Sequence, residues 1–178
     1  TINLGLFYGM GKAKLQAELG VSKEKANELF TIYHERVPFV KSLMNSVSNR
    51  AQQRGQIRTL LGRLCRFHLW EPNQFGVHKA LPFDQARQEY GAGIKRAYTY
   101  KALNKLIQGS AADMTKKSML ELYKEGIVAH IQVHDELDIS VEDDKKAEQI
   151  KQIMESAVEL EIPNKVDYES GKNWGDIK

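Results

Sequence analysis

Two adjacent carboxylates, Asp135 and Glu136, follow His134 where two β-rich runs, 127–133 and 137–141, meet. Anions this close repel and lose hydration unless something positive sits beside them. A divalent cation is the simplest such partner, and Mg²⁺ prefers one or two carboxylates plus substrate phosphates to a full protein cage. An exposed acidic turn would read the same way. The trio alone does not choose.

A second cluster is basic. Between Arg36 and Trp70 there is no Asp or Glu, whereas Arg36, Lys41, Arg50, Arg54, Arg58, Arg63 and Arg66 lie there, a net +7 across 35 residues. The chain as a whole is nearly balanced, with 26 Lys and Arg against 23 Asp and Glu. So concentrated a field suits phosphates, since solvated helix faces usually mix signs. Arg50 and Arg54, four apart, would share a helix face.

The third pattern is polar. Tyr100, Asn104 and Gln108 recur every four residues, and Lys101 stands three before Asn104, so all can line one helix side. Asn and Gln both donate and accept, which suits the minor-groove edge of a base pair, read there with little sequence selection. A plain polar helix surface has the same spacing. Near the start, Leu4 and Tyr8 lie one turn apart with Gly5 and Gly9 beside them. Glycines would let a flat ring approach the helix; by itself the pattern is more often core packing.

The elements that must position these groups follow from periodicity. Residues 1–20 read as two short helices broken at Gly9–Gly11, with the second ending near Gly20. Ser22 reads as an N-cap for a helix carrying Ala26, Leu29, Phe30, Tyr33 and Val37. Pro38 restarts a helix to about Gln53, and Gly55 and Gly62 bracket a strand-like run over 56–61. Residues 68–90, with Trp70, Phe75 and Phe83 among Pro72 and Pro82, read as an ordered irregular connection. Residues 92–124 form the longest helical pattern, then come a hairpin with a three-residue tip at 134–136, a helix over 145–160 and a last strand at 166–168. Helices first and a hairpin later predict an α+β fold.

Composition excludes some classes. No apolar run approaches the roughly 20 residues that span a bilayer, so no membrane is expected as a partner. The single Cys65 excludes an internal disulfide framework and fits a reducing compartment.

Taken together, five segments in order resemble the C-terminal polymerase region of the family A DNA polymerases, a group of bacterial and phage enzymes. Asn3-Leu4-Gly5-Leu6-Phe7-Tyr8-Gly9 is similar to the end of motif B on the fingers' nucleotide-binding helix. Thr59-Leu60-Leu61-Gly62-Arg63 resembles the Thr-Leu-x-Gly-Arg segment, and Gln108-Gly109-Ser110-Ala111-Ala112-Asp113 the palm helix signature. Val133-His134-Asp135-Glu136 is similar to motif C, and Gly171-Lys172-Asn173-Trp174 to the closing segment.

The resemblance implies fingers-like helices over 1–55 and a distal palm-like region over 56–178. It implies a DNA-dependent DNA polymerase working by two-metal phosphoryl transfer in the bacterial or phage-infected cytoplasm, with primer-template DNA and deoxynucleoside triphosphates as partners. Asp135 would hold the catalytic Mg²⁺ pair, with Glu136 beside it. His134 would contact the primer end, Gln108 and Asn104 the minor groove, and Arg63 the DNA, while Lys101 would stand in for the Arg that some members carry at position 100. Tyr8 would stack near the templating or incoming base and Leu4 would face the incoming sugar, where many members have Phe or Tyr.

Motif A, with the other metal-binding Asp, would precede Thr1, as would the motif B residues that hold the triphosphate. Activity is therefore expected only with an upstream part. The start at Thr1 reads as a fragment or split chain in preference to the product of an intein. A non-catalytic DNA-binding module on the same scaffold is the alternative.

Overall fold

The computed structural model describes residues 2–74 and 79–177; Thr1 and Phe75 lie outside the described residues. The chain divides into two compact units, 1–107 and 108–178.

The first unit opens with α1 (Ile2–Phe7) and α2 (Lys12–Leu19), the latter closed by Gly20 in the left-handed conformation. Helix α3 (Lys23–Arg36) starts at Ser22, whose hydroxyl accepts from the Lys25 amide at 3.2 Å. That cap satisfies a donor no helical carbonyl can reach. Ser22→Ala is expected to cost about 1 kcal/mol, read as a lower urea midpoint at unchanged m-value. Pro38 then occupies the first turn of α4 (Pro38–Arg54), where its missing N–H matters least.

Hairpin β1 (Gln56–Arg58) and β2 (Leu64–Arg66) pairs Ile57 with Cys65. Val47, Ala51, Ile57, Phe67, Ala102 and Leu103 form the core beneath it. The strand is shorter than the expected 56–61 run because Thr59–Gly62 is spent on the turn: the Gly62 amide bonds back to the Thr59 carbonyl at 3.0 Å.

The stretch expected to be ordered but irregular instead forms regular elements. Strands β3 (Leu69–Pro72), β4 (Leu81–Pro82) and β5 (Ile94–Arg96) form a sheet in the order β4-β3-β5, with α5 (Phe83–Tyr90) between β4 and β5. Trp70 pairs with Arg96, 26 residues away, a partnership that no local pattern announces. Both prolines sit at strand ends, where a missing donor is tolerated.

The long helix is correspondingly shorter than its pattern. Residues 94–96 belong to β5, and Tyr98 has φ +61°, which no α-helix can pass through. A 3₁₀ turn, Thr99–Lys101, then leads into α6 (Ala102–Lys124).

In the second unit, β6 (Ile131–Val133) and β7 (Glu136–Asp138) form a hairpin, and α7 (Asp144–Ser156) is capped by the Asp143 carboxylate on the Lys146 amide at 2.8 Å. Leu137 and Ile139 pack with Leu122, Ile127 and Ile150. No strand forms at 166–168: the Val166 amide donates to the Glu155 side chain at 3.1 Å and so has no ladder to join. That bond first, and Lys165 after it, hold the Glu155 carboxyl below the usual carboxylate range. Helix α7 also stops short of Leu160, at Ser156, whose hydroxyl bonds back to the Gln152 carbonyl at 2.7 Å. Fold class is α+β, as expected.

Candidate functional site

The acidic pair stands on the β6–β7 hairpin. Val133 pairs with Glu136, so the tip holds two residues, His134 and Asp135, and Glu136 already belongs to the strand. The expected three-residue tip is corrected by that register. His134 takes φ +54°, a left-handed conformation that costs a side-chain-bearing residue about 1 kcal/mol or more. The Gln132 amide donates to the His134 carbonyl and braces the turn.

Alternation along β7 sends Leu137 and Ile139 into the core and Glu136 outward. The partners of Glu136 and Asp138 across the ladder, Val133 and Ile131, therefore share the outer face and are 39% and 40% exposed.

The Asp135 and Glu136 carboxylates are exposed and make no hydrogen bond or ion pair among the described residues. Such carboxylates are hard oxygen donors of the number Mg²⁺ takes when phosphates complete its shell. No three His, Cys, Asp or Glu side chains converge as a metal cluster among the described residues. The donor set fits a cation shared with a phosphate-bearing ligand, not a closed protein cage.

In the first unit, all seven basic residues from Arg36 to Arg66 are exposed. Arg50 and Arg54 share α4. On the β1–β2 hairpin, Ile57 and Cys65 face the core, so Arg58 and Arg66 alternate to the outer face. Further hydrogen bonds hold the turn that presents Arg63. The Thr59 amide donates to the Arg63 carbonyl at 2.9 Å, the Arg63 amide to the Thr59 hydroxyl at 3.0 Å, and the Arg58 guanidinium to the Gly62 carbonyl at 2.8 Å.

At the N-terminal end, Leu4 is 62% exposed and lines an open apolar groove of about 720 Å³ between α1, α2 and α3. Tyr8 follows one turn later, its amide on the Leu4 carbonyl at 3.0 Å and its ring edge-on to Phe7 at 5.6 Å. The glycines beside them meet methionines. A Cβ on Gly5 would lie 2.2 Å from Met10 Cε, and one on Gly9 3.3 Å from Met44 Cε.

Lys101 ends the 3₁₀ turn and Asn104 lies in the first turn of α6, both exposed, and Gln108 follows Asn104 by one turn of the unbroken helix. The Lys101 ammonium lies 5.1 Å from the Tyr98 ring centroid and 5.6 Å from that of Tyr100. Lys105, which the sequence reading passed over, rests 5.1 Å from the Phe67 ring. Its spacing of four from Lys101 was the available signal. Thus Leu4, Tyr8, Arg63, Lys101 and Asn104 are residues of the first unit, while Gln108, His134, Asp135 and Glu136 are residues of the second.

Comparison with known proteins adds an independent observation. Residues 1–176 match the sequence profile described as DNA polymerase family A. A DNA-directed DNA polymerase of Pseudomonas phage M6 is 33% identical over 208 aligned residues, covering 98% of this chain and 28% of that protein. DNA polymerase I of Bacillus caldotenax is 33% identical over 187, covering 100% of this chain and 19% of that protein. Among solved structures, the POL domain of Pol1 from M. smegmatis in complex with DNA primer-template and dNTP superposes with a TM-score of 0.67 at 28% identity. That match covers 91% of this chain and 27% of the other. The chain therefore spans from about a fifth to under three-tenths of the length of these curated relatives. No helix among the described residues is long and apolar enough to cross a membrane.

Proposed function

This chain belongs to DNA polymerase family A, and from that membership we propose that it is the fingers and distal palm portion of a DNA-dependent DNA polymerase. The observation that carries the reading is the exposed Asp135–Glu136 pair on a hairpin anchored to the core by Leu137 and Ile139. In this reading residues 1–55 act as fingers and 56–178 as distal palm, and the setting is the cytoplasm of a bacterial or phage-infected cell.

Asp135, with Glu136 beside it, would hold divalent cations shared with the triphosphate. Bound there, the cations supply a lowered pKa at the primer 3′-hydroxyl and charge neutralisation at the departing pyrophosphate. The chain's own residues position the reactants. His134 meets the primer end, Asn104 and Gln108 offer amides to the minor groove, and Arg63 and Lys101 neutralise the DNA backbone. Tyr8 stacks near the nascent pair and Leu4 faces the sugar.

A second carboxylate strand, motif A, completes this site from an upstream part. Support comes from the outer face of the hairpin, where Ile131 and Val133 stand exposed beside Glu136. Apolar strand residues left open in this way call for a partner.

Primer extension on a primed template with Mg²⁺ and four deoxynucleotides tests the reading, using this chain alone and mixed with an upstream polymerase segment carrying motif A. Extension only in the mixture is the expected result. Intact DNA binding with no extension in either would replace it by the accessory-module reading, which the seven exposed basic residues would equally serve.

A further inference from the structure

The start of α6 carries an arrangement that duplex minor-groove contacts do not use. Tyr100 is 63% exposed, the ring of a 3₁₀ turn whose backbone is fixed on one side by left-handed Tyr98 and on the other by α6. The turn is fastened to α4. The Arg96 guanidinium just before it donates to the Gln52 carbonyl at 3.2 Å and the Phe67 carbonyl at 2.9 Å, and stacks 4.5 Å from the Trp70 ring centroid. An exposed aromatic ring on so rigid a mount presents its face with little conformational freedom left to lose.

One cation lies against that ring and a second follows along the chain. Lys101 lies over Tyr98 and Tyr100, and Lys105, one helical turn on, lies over Phe67. Ammonium groups resting on rings are partly ordered before any ligand arrives. An exposed ring with ordered cations beside it is the kind of surface that takes single-stranded nucleic acid, because a base offers its face only where it is unpaired or at a duplex end. The carboxylate-free run from Arg36 to Trp70 belongs to the same compact unit and adds the field that draws phosphates in.

We propose that Tyr100 is a stacking platform for an unpaired base of a DNA single strand, with Lys101 and Lys105 holding the phosphates beside it. The inference rests on the polymerase reading and deepens it: this surface takes single-stranded DNA and distinguishes it from paired DNA.

The test uses the 178-residue chain with a fluorescein-labelled oligo(dT), by anisotropy across a salt series, and a relaxed closed-circular duplex, which has no ends, as competitor. Tyr100→Ala is expected to weaken oligo(dT) binding between about 5- and 150-fold, the range for losing one base–aromatic stack. Its salt slope stays unchanged and duplex binding is preserved. Tyr100→Trp retains affinity, which separates stacking from a folding defect. Lys101→Gln lowers the salt slope on the single strand by about 0.7.

Unchanged oligo(dT) affinity in Tyr100→Ala, or an equal loss on both DNAs, overturns the stacking proposal and leaves the polymerase reading standing. Failure of the wild-type chain to bind either DNA at low salt overturns both.

Discussion

Asp135→Asn, in the chain mixed with an upstream polymerase segment carrying motif A, is expected to lower single-nucleotide incorporation by at least about 10³-fold, since metal-held charge stabilisation is worth several kcal/mol and each 1.36 kcal/mol is tenfold. The fold should not notice. Asp135 is exposed at a hairpin tip, its carboxylate makes no hydrogen bond or ion pair among the described residues, and the asparagine keeps its shape. Primer-template affinity should therefore survive while turnover is lost. Glu136→Gln should cost far less, about tenfold, because a supporting carboxylate tunes the site without being its main ligand. Single-turnover incorporation at saturating DNA, with a Mg²⁺ titration, separates the two. Full activity in Asp135→Asn would end the metal assignment.

The second large effect concerns stability. Gly55 and Gly20 both close helices in the left-handed conformation, at φ +67° and +63°. They differ in surroundings. A Cβ on Gly20 meets nothing within 4 Å, whereas one on Gly55 would lie 2.7 Å from Arg96 Cζ and 2.8 Å from its Nη1. Gly20→Ala should thus cost only the left-handed strain, about 1 kcal/mol.

Gly55→Ala adds displacement of a guanidinium held by two carbonyls and the Trp70 ring, and hydrogen bonds from charged donors are worth about 1.5–3 kcal/mol each. A total of about 3 kcal/mol is expected, read from urea unfolding of both variants. Equal losses at the two glycines would mean that the Arg96 clamp holds nothing together. A larger loss at Gly55 with a lowered m-value would place the damage in the packing of the three-stranded sheet.

How legible all this is in the sequence depends on the range of the interaction. Ser22 as a cap, Pro38 as a restart and Gly20 as a stop are local rules, and the structure follows them residue by residue. The Asp135–Glu136 pair between two β-runs is equally local, and with the other four segments it sufficed to indicate the family that the match over residues 1–176 establishes. The fate of Trp70 was not legible. Its two prolines and scattered aromatics suggest irregularity, but pairing with Arg96 across 26 residues supplies strand hydrogen bonds that no neighbouring residue predicts.

The same pairing shortens α6. By periodicity alone, residues 92–101 fit the helix well; the ladder claims Ile94–Arg96 and the chain must then turn through left-handed Tyr98 before a helix can begin. Tyr100 and Lys101 consequently stand on a fixed 3₁₀ turn, with the Lys101 ammonium over two rings. The sequence by itself determined the fold class, the helix caps and the acidic pair, because each depends on residues within a turn or two of one another. Tertiary structure alone decided where α6 starts, that Lys105 rests on Phe67 and what clamps Gly55. Those outcomes are set by groups brought together from 26 to 44 residues apart, whose shared burial and hydrogen bonding outweigh local preference.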